Sequence, residues 1–115
     1  MGGMIPTVEI EGVPDPLPEG LVVLDVREDD EWAAGHIDGA VHIPLMELPA
    51  RLGEFVELEA PQTLVVCKGG GRSARAVAYL AQQGYDVVNL ADGMIGWERA
   101  GRAMVSDTGQ PAEVI

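Results

Sequence analysis

The chain has 115 residues, which at roughly 100–200 residues per domain means a single domain. Seven Lys and Arg face nineteen Asp and Glu, a formal net charge of −12, which excludes nucleic acid and an anionic membrane surface as partners. Apolar residues make up 47% of the chain, enough for a packed core that needs no disulfide or metal to fold.

Val8 and Ile10 alternate with Thr7, Glu9 and Glu11, the pattern of a half-buried edge strand. Pro14, Pro16, Pro18 and Gly20 then break the chain. Leu21-Val22-Val23-Leu24 reads as a strand buried on both faces. A short helix follows from the acidic run Glu28–Glu31. Asp29 or Asp30 is the expected cap and Gly35 the expected left-handed stop. Val41-His42-Ile43 is a short strand. Pro49 suits the first position of a helix that turns Leu52, Phe55 and Val56 inward. Thr63–Val66 is a second central strand, ending at Cys67. The spacing of Ala74, Val77, Ala78 and Ala81 predicts a helix over 73–83 with those residues inward, stopped by Gly84. Asp86–Leu90 is a third central strand, and Met94–Ala100 a last helix, stopped by Gly101. Beyond Arg102 the pattern fades and the tail is expected to fray. Buried strands alternating with short helices define an α/β domain with a mostly parallel sheet.

The charge is uneven. Residues 1–66 hold fourteen acids and two bases, whereas residues 68–115 hold five of each. Lys68, Arg72 and Arg75 crowd next to Cys67, the single cysteine. One cysteine excludes an internal disulfide and a cysteine-rich zinc site, and no metal or other cofactor is expected. No basic segment with a long apolar stretch opens the chain, and its longest apolar runs are too short to span a membrane. The expected location is the reducing cytoplasm.

The stretch from Leu64 to Arg75 carries the chemistry. A buried strand runs into Cys67-Lys68-Gly69-Gly70-Gly71-Arg72-Ser73, and this loop opens a helix. In open α/β sheets the ligand crevice lies at the carboxyl ends of the strands. Three glycines let successive N–H groups point inward as an anion-binding nest. The helix start adds unpaired N–H groups, and three cations add full charge. Such surroundings favour a sulfur anion and an anionic ligand. The Gly-Lys-Ser/Thr ending of a phosphate P-loop is absent.

These residues resemble the single-domain rhodanese-like sulfurtransferases. Three blocks carry the resemblance, in order. The first is Leu24-Asp25-Val26-Arg27-Glu28 with Glu31-Trp32 and Gly35-His36-Ile37-Asp38-Gly39-Ala40-Val41-His42-Ile43-Pro44. The second is Cys67–Ser73, and the third Asp92-Gly93-Met94 with Trp97 and Ala100-Gly101. The resemblance implies a five-stranded, mainly parallel sheet flanked by helices on both faces. The single domain would span 1–115, with its core at about 5–105 and a tail at 106–115. It implies that Cys67 takes a sulfane sulfur from thiosulfate or a similar donor as a persulfide. The sulfur would pass to cyanide, a thiol or a sulfur-carrier protein. The amides of Lys68, Gly69, Gly70, Gly71, Arg72 and Ser73 would cradle the persulfide, and Arg72 would help hold the donor. Four residues separate Cys67 from Arg72; phosphatase and arsenate-reductase relatives have one more, so the shorter loop suits a single sulfur atom. Arsenate reduction in the same pocket and a non-catalytic binding module are the alternatives.

Two positions depart from the family pattern. Gly69 stands where many members have Ser, and Asp92, where Gly is common, is expected to bring a negative charge near the site. Asp25, Arg27 and His36 are assigned supporting roles: Asp25 and Arg27 as an ion pair or hydrogen-bonded unit, His36 and His42 as hydrogen-bond partners of the backbone. Trp32 and Trp97 are expected to be core anchors.

Overall fold

The computed structural model describes residues 5–115. Its apolar runs form five strands: β1 (Thr7–Val8), β2 (Leu21–Asp25), β3 (Val41–His42), β4 (Gln62–Val66) and β5 (Val87–Leu90). All pair in parallel, in the order β1-β5-β4-β2-β3. Leu24 sits between Val65 of β4 and Val41 of β3, and Thr63 lies opposite Val87 of β5. Strand side chains alternate between the two faces of the sheet. Leu24, Val26, Val65, Cys67 and Val87 therefore share one core layer, and Val23, Leu64, Val66 and Leu90 belong to the other.

Helices cover both faces, as expected. Helix α2 (Leu52–Glu57) brings Phe55, and α3 (Gly71–Gln82) brings Ala76, Val77 and Leu80, to the first layer. Helix α4 (Gly93–Arg99) and the 3-10 turn Ile10–Gly12 bring Met94, Trp97 and Ile10 to the second. Helix α1 (Asp29–Ala34) lies beyond the end of β2 and buries no residue fully. Among the described residues no helix is long and apolar enough to cross a membrane.

Several local expectations need correction. The buried face of α3 is Ser73, Ala76, Val77 and Leu80; Ala78 and Ala81 are exposed. Burying a Val or Leu side chain stabilises by about 1.5–3 kcal/mol, more than an alanine methyl can offer, so the bulkier stripe turns inward. Helix α2 starts at Leu52, with Pro49 in the turn before it, and Val56 points outward. Helix α1 is capped at Glu28, whose N–H donates to the Glu31 carboxylate at 3.0 Å. Gly35 is extended, not left-handed; glycine is needed there because a Cβ would stand 2.5 Å from the Glu113 carbonyl oxygen.

That contact also shows that the tail is docked. The Asp107 N–H donates to Ala33 O at 2.8 Å and the Glu113 N–H to Ala34 O at 3.0 Å. His36 and Val105 form an antiparallel bridge, and Val114 packs against the second core layer. Arg102 donates to the carbonyls of Val13 at 2.5 Å and Ile10 at 3.1 Å while covering the Trp97 ring at 5.2 Å.

Candidate active site

Strand β4 ends at Val66, so Cys67 stands at the carboxyl edge of the sheet. Its side chain shares the layer under α3, and the residue is only 1% exposed. The chain then turns through Gly70, which has φ +106° and caps α3. This turn folds the Gly70 N–H back onto Cys67 Sγ at 3.0 Å. A side chain at Gly70 would have to adopt that left-handed backbone, and its Cβ would strike the Ala91 carbonyl oxygen. At Gly69 and Gly71 an added Cβ meets nothing within 4 Å.

Helix α4 fixes the outer side of the loop. The Met94 N–H donates to Cys67 O at 2.8 Å and the Ile95 N–H to Lys68 O at 3.0 Å. Gly93 lies so close that a Cβ would strike the Cys67 carbonyl oxygen. With those carbonyls taken up by α4, the loop N–H groups are left for the other side. Among the described residues, no acceptor takes the N–H of Lys68, Gly69, Gly71, Arg72 or Ser73. The last three belong to the first turn of α3, where no intrahelical acceptor exists.

The buried Ser73 hydroxyl lies 3.2 Å from Cys67 Sγ and 2.5 Å from Asn89 Oδ1. It has one proton, so it donates to one of the two at a time. Asn89 Nδ2 donates to Gly70 O at 3.3 Å, which fixes which end of the amide faces Ser73. Asn89 was not singled out by sequence reasoning. Its signal was a polar residue inside the apolar strand Val87–Leu90, a position that demands a partner.

The Arg72 guanidinium is already engaged. Its two terminal nitrogens donate to both Glu31 oxygens, at 2.7 and 2.9 Å. Arg72 chiefly, with the Glu28 N–H assisting, holds the Glu31 carboxyl at about 2, and the Glu31 carboxylate in turn raises the Arg72 value. Glu31 thus ties α1 to the first turn of α3. Sequence reasoning gave Glu31 no role here, because nothing local marks a pair 41 positions apart. Lys68 is exposed and has no ion-pair partner among the described residues.

The supporting residues form a framework beside α1. Arg27, fully buried, donates through Nε and Nη2 to Asp25 at 2.9 and 2.7 Å, and through Nη2 to Gly35 O at 2.8 Å. His36 Nδ1 donates to Trp32 O, and His42 Nε2 to Arg27 O, each at 2.7 Å. Trp97 is buried as expected. Trp32 is not: it is half-buried and stacks on both imidazoles, at 3.6 Å from His36 and 4.8 Å from His42. Asp92 precedes α4, with its side chain against Gly96. It lines a hollow with Ile10, Glu11, Gly96, Arg99 and Ala100.

A strand that ends in a cysteine, a glycine turn that brings the Gly70 N–H onto the sulfur, and a helix that starts on that turn meet at the carboxyl edge of a parallel α/β sheet. The family model for the rhodanese-like domain matches residues 12–100, and the chain belongs to that family. A sulfurtransferase of Allochromatium vinosum is 37% identical over 92 residues, covering 79% of this chain and 84% of that protein. A thiosulfate sulfurtransferase of Pseudomonas entomophila is 45% identical over 75 residues, covering 65% of this chain and 67% of the relative. The crystal structure of a rhodanese-related protein from Thermoplasma volcanium superposes with a TM-score of 0.78 at 30% identity, covering 87% of this chain and 97% of that one.

Proposed function

We propose that the protein is a sulfurtransferase that carries a sulfane sulfur on Cys67. The observation that supports this most directly is the Gly70 N–H on Cys67 Sγ, within a loop whose remaining amides have no acceptor among the described residues. In the first half-reaction the Cys67 thiolate attacks the outer sulfur of thiosulfate or a similar donor. A new S–S bond forms, the bond to the sulfonate breaks, and sulfite leaves with the electron pair. The product is the Cys67 persulfide anion. The outer sulfur of that anion extends about 2 Å beyond Sγ, toward the unpaired amides of Lys68, Gly69, Gly71, Arg72 and Ser73. In the second half-reaction cyanide or a thiolate attacks the outer sulfur. Thiocyanate or a new persulfide departs, and the Cys67 thiolate is restored.

In this reading Arg72 acts mainly by holding the loop through Glu31, and Lys68 supplies the open cation that meets the donor. Asp25, Arg27 and His36 hold the framework from which Glu31 reaches the loop. The acceptor is a thiol, free or carried by a protein.

The test is to incubate the protein with thiosulfate and weigh it. One added sulfur atom, lost on adding cyanide and absent from Cys67→Ser, is the expected result. No added sulfur, or an addition that survives Cys67→Ser, overturns the proposal and leaves the non-catalytic module as the reading. Lys68→Ala should raise the KM for thiosulfate more than it lowers kcat.

A further inference from the structure

A second concave feature lies outside the loop. Leu45, Met46, Leu48, Pro49, Arg75 and Tyr79 line a groove of about 230 Å³ between α3 and the 3-10 turn Leu45–Glu47. The lining is mostly apolar and Met46 is 81% exposed, although few large hydrophobic residues are exposed among the described residues. The nearby Arg51 is shared between Glu47 and Glu54, each at 2.9 Å, and all three lie outside the groove's lining. Arg75, one turn beyond Arg72 on α3, is exposed and has no ion-pair partner among the described residues. Arg75 is thus the charged residue of the lining, in a chain of net charge −12.

The groove is close to the sulfur. The Leu45 N–H donates to Val26 O, and the Val26 N–H to Val66 O, each at 3.0 Å. Leu45 therefore stands two strand spacings, about 10 Å, from the residue that precedes Cys67. Leu45, Leu48 and Tyr79 pack in the same core layer as Cys67. An extended chain advances about 3.3 Å per residue, so about three residues bridge the groove and the loop.

We propose that this groove docks an extended acidic segment of a protein sulfur acceptor. An apolar side chain sits between Met46 and Tyr79, a carboxylate meets Arg75, and the acceptor cysteine reaches the loop about three residues further along. The proposal rests on Cys67 carrying a transferable sulfur. The acceptor thiolate attacks the outer sulfur, the bond to Sγ breaks, and the electron pair returns to Cys67. Cyanide reaches the sulfur without using the groove.

The probes are acetylated pentapeptide amides. One pair reads Asp-Leu-Gly-Gly-Cys and Lys-Leu-Gly-Gly-Cys, and a second pair has the same residues in reverse order. The protein is loaded with thiosulfate, and sulfur transfer to each peptide is followed by mass. The better-used order should favour the acidic peptide by about three- to fivefold in kcat/KM, the size of one exposed charge pair. Arg75→Glu should reverse that preference, and Met46→Ser should lower use of both peptides. Cyanide turnover should stay within about twofold of wild type in both variants, an energy difference under about 0.5 kcal/mol. Equal use of acidic and basic peptides, or an unchanged preference in Arg75→Glu, overturns the docking proposal alone if cyanide turnover is intact. Absence of thiosulfate–cyanide turnover in the unaltered protein removes the sulfur-transfer reading and the docking proposal with it.

Discussion

Gly69 and Gly70 are neighbours with opposite tolerances. Gly70 combines φ +106° with backbone contact to Ala91, so Gly70→Ala should cost roughly 1–3 kcal/mol from strain alone and pull the N–H off the sulfur. Sulfur loading should fall at least tenfold. Gly69→Ser places its Cβ in open space and should leave the urea midpoint and loading within experimental error. Glu31 makes a different kind of prediction. Its folded value of about 2 lies below the ordinary 4.5, so its contribution is complete above pH 4.5 and is lost as the pH falls through about 2. The urea midpoint of wild type should therefore drop between pH 6 and pH 3 by more than that of Glu31→Gln. Glu31→Gln should also weaken loading at neutral pH, because Arg72 loses its charged partner. The placing of Cys67 and its glycine loop was legible in the sequence because the signal is local: strand end, glycines and helix start are contiguous. Glu31 and Asn89 were not, because each meets the loop only through the tertiary fold.

Among the elements, the central strands were legible to within a residue or two. Val, Ile and Leu runs bounded by Pro and Gly have no other stable home than a sheet buried on both faces. The inward face of α3 was misread because alanine counts equally in a spacing pattern but not in buried area. The tail was misread for another reason: it is held by backbone hydrogen bonds and by Arg102, and neither has a periodicity. Arg102 binds three carbonyls of the segment Ile10–Pro14 and covers Trp97, so Arg102→Ala should destabilise by about 1–3 kcal/mol. Chemical denaturation with Trp fluorescence reads both the loss and the freeing of Trp97. Within the framework beside α1, Asp25→Asn should cost more, about 3–5 kcal/mol, because it strands the buried Arg27 charge. Asp25→Asn with Arg27→Met should recover part of that loss in the same denaturation experiment.

Over the molecule as a whole, the charge of −12 and the local cation Lys68 act over different distances. At physiological salt the screening length is about 8 Å, so added salt removes the long-range repulsion of thiosulfate before it weakens contact at the loop. The rate of sulfur loading should hold or rise as salt increases from low values to about 0.15 M; a steep fall would mean that the acidic surface has no influence on the site. The topology carries a further consequence. Among the described residues strand β1 pairs with β5 alone, and the carbonyls of Cys67 and Lys68 are held by Met94 and Ile95. A ribosome releases Cys67 well before it releases those residues. On a nascent chain the thiol therefore emerges with its loop unclamped and the first strand unpaired, and the loop is clamped only after α4 arrives. Assembly of the loop is thereby deferred until α4 and β5 are made, at the expense of slow, long-range pairing during folding.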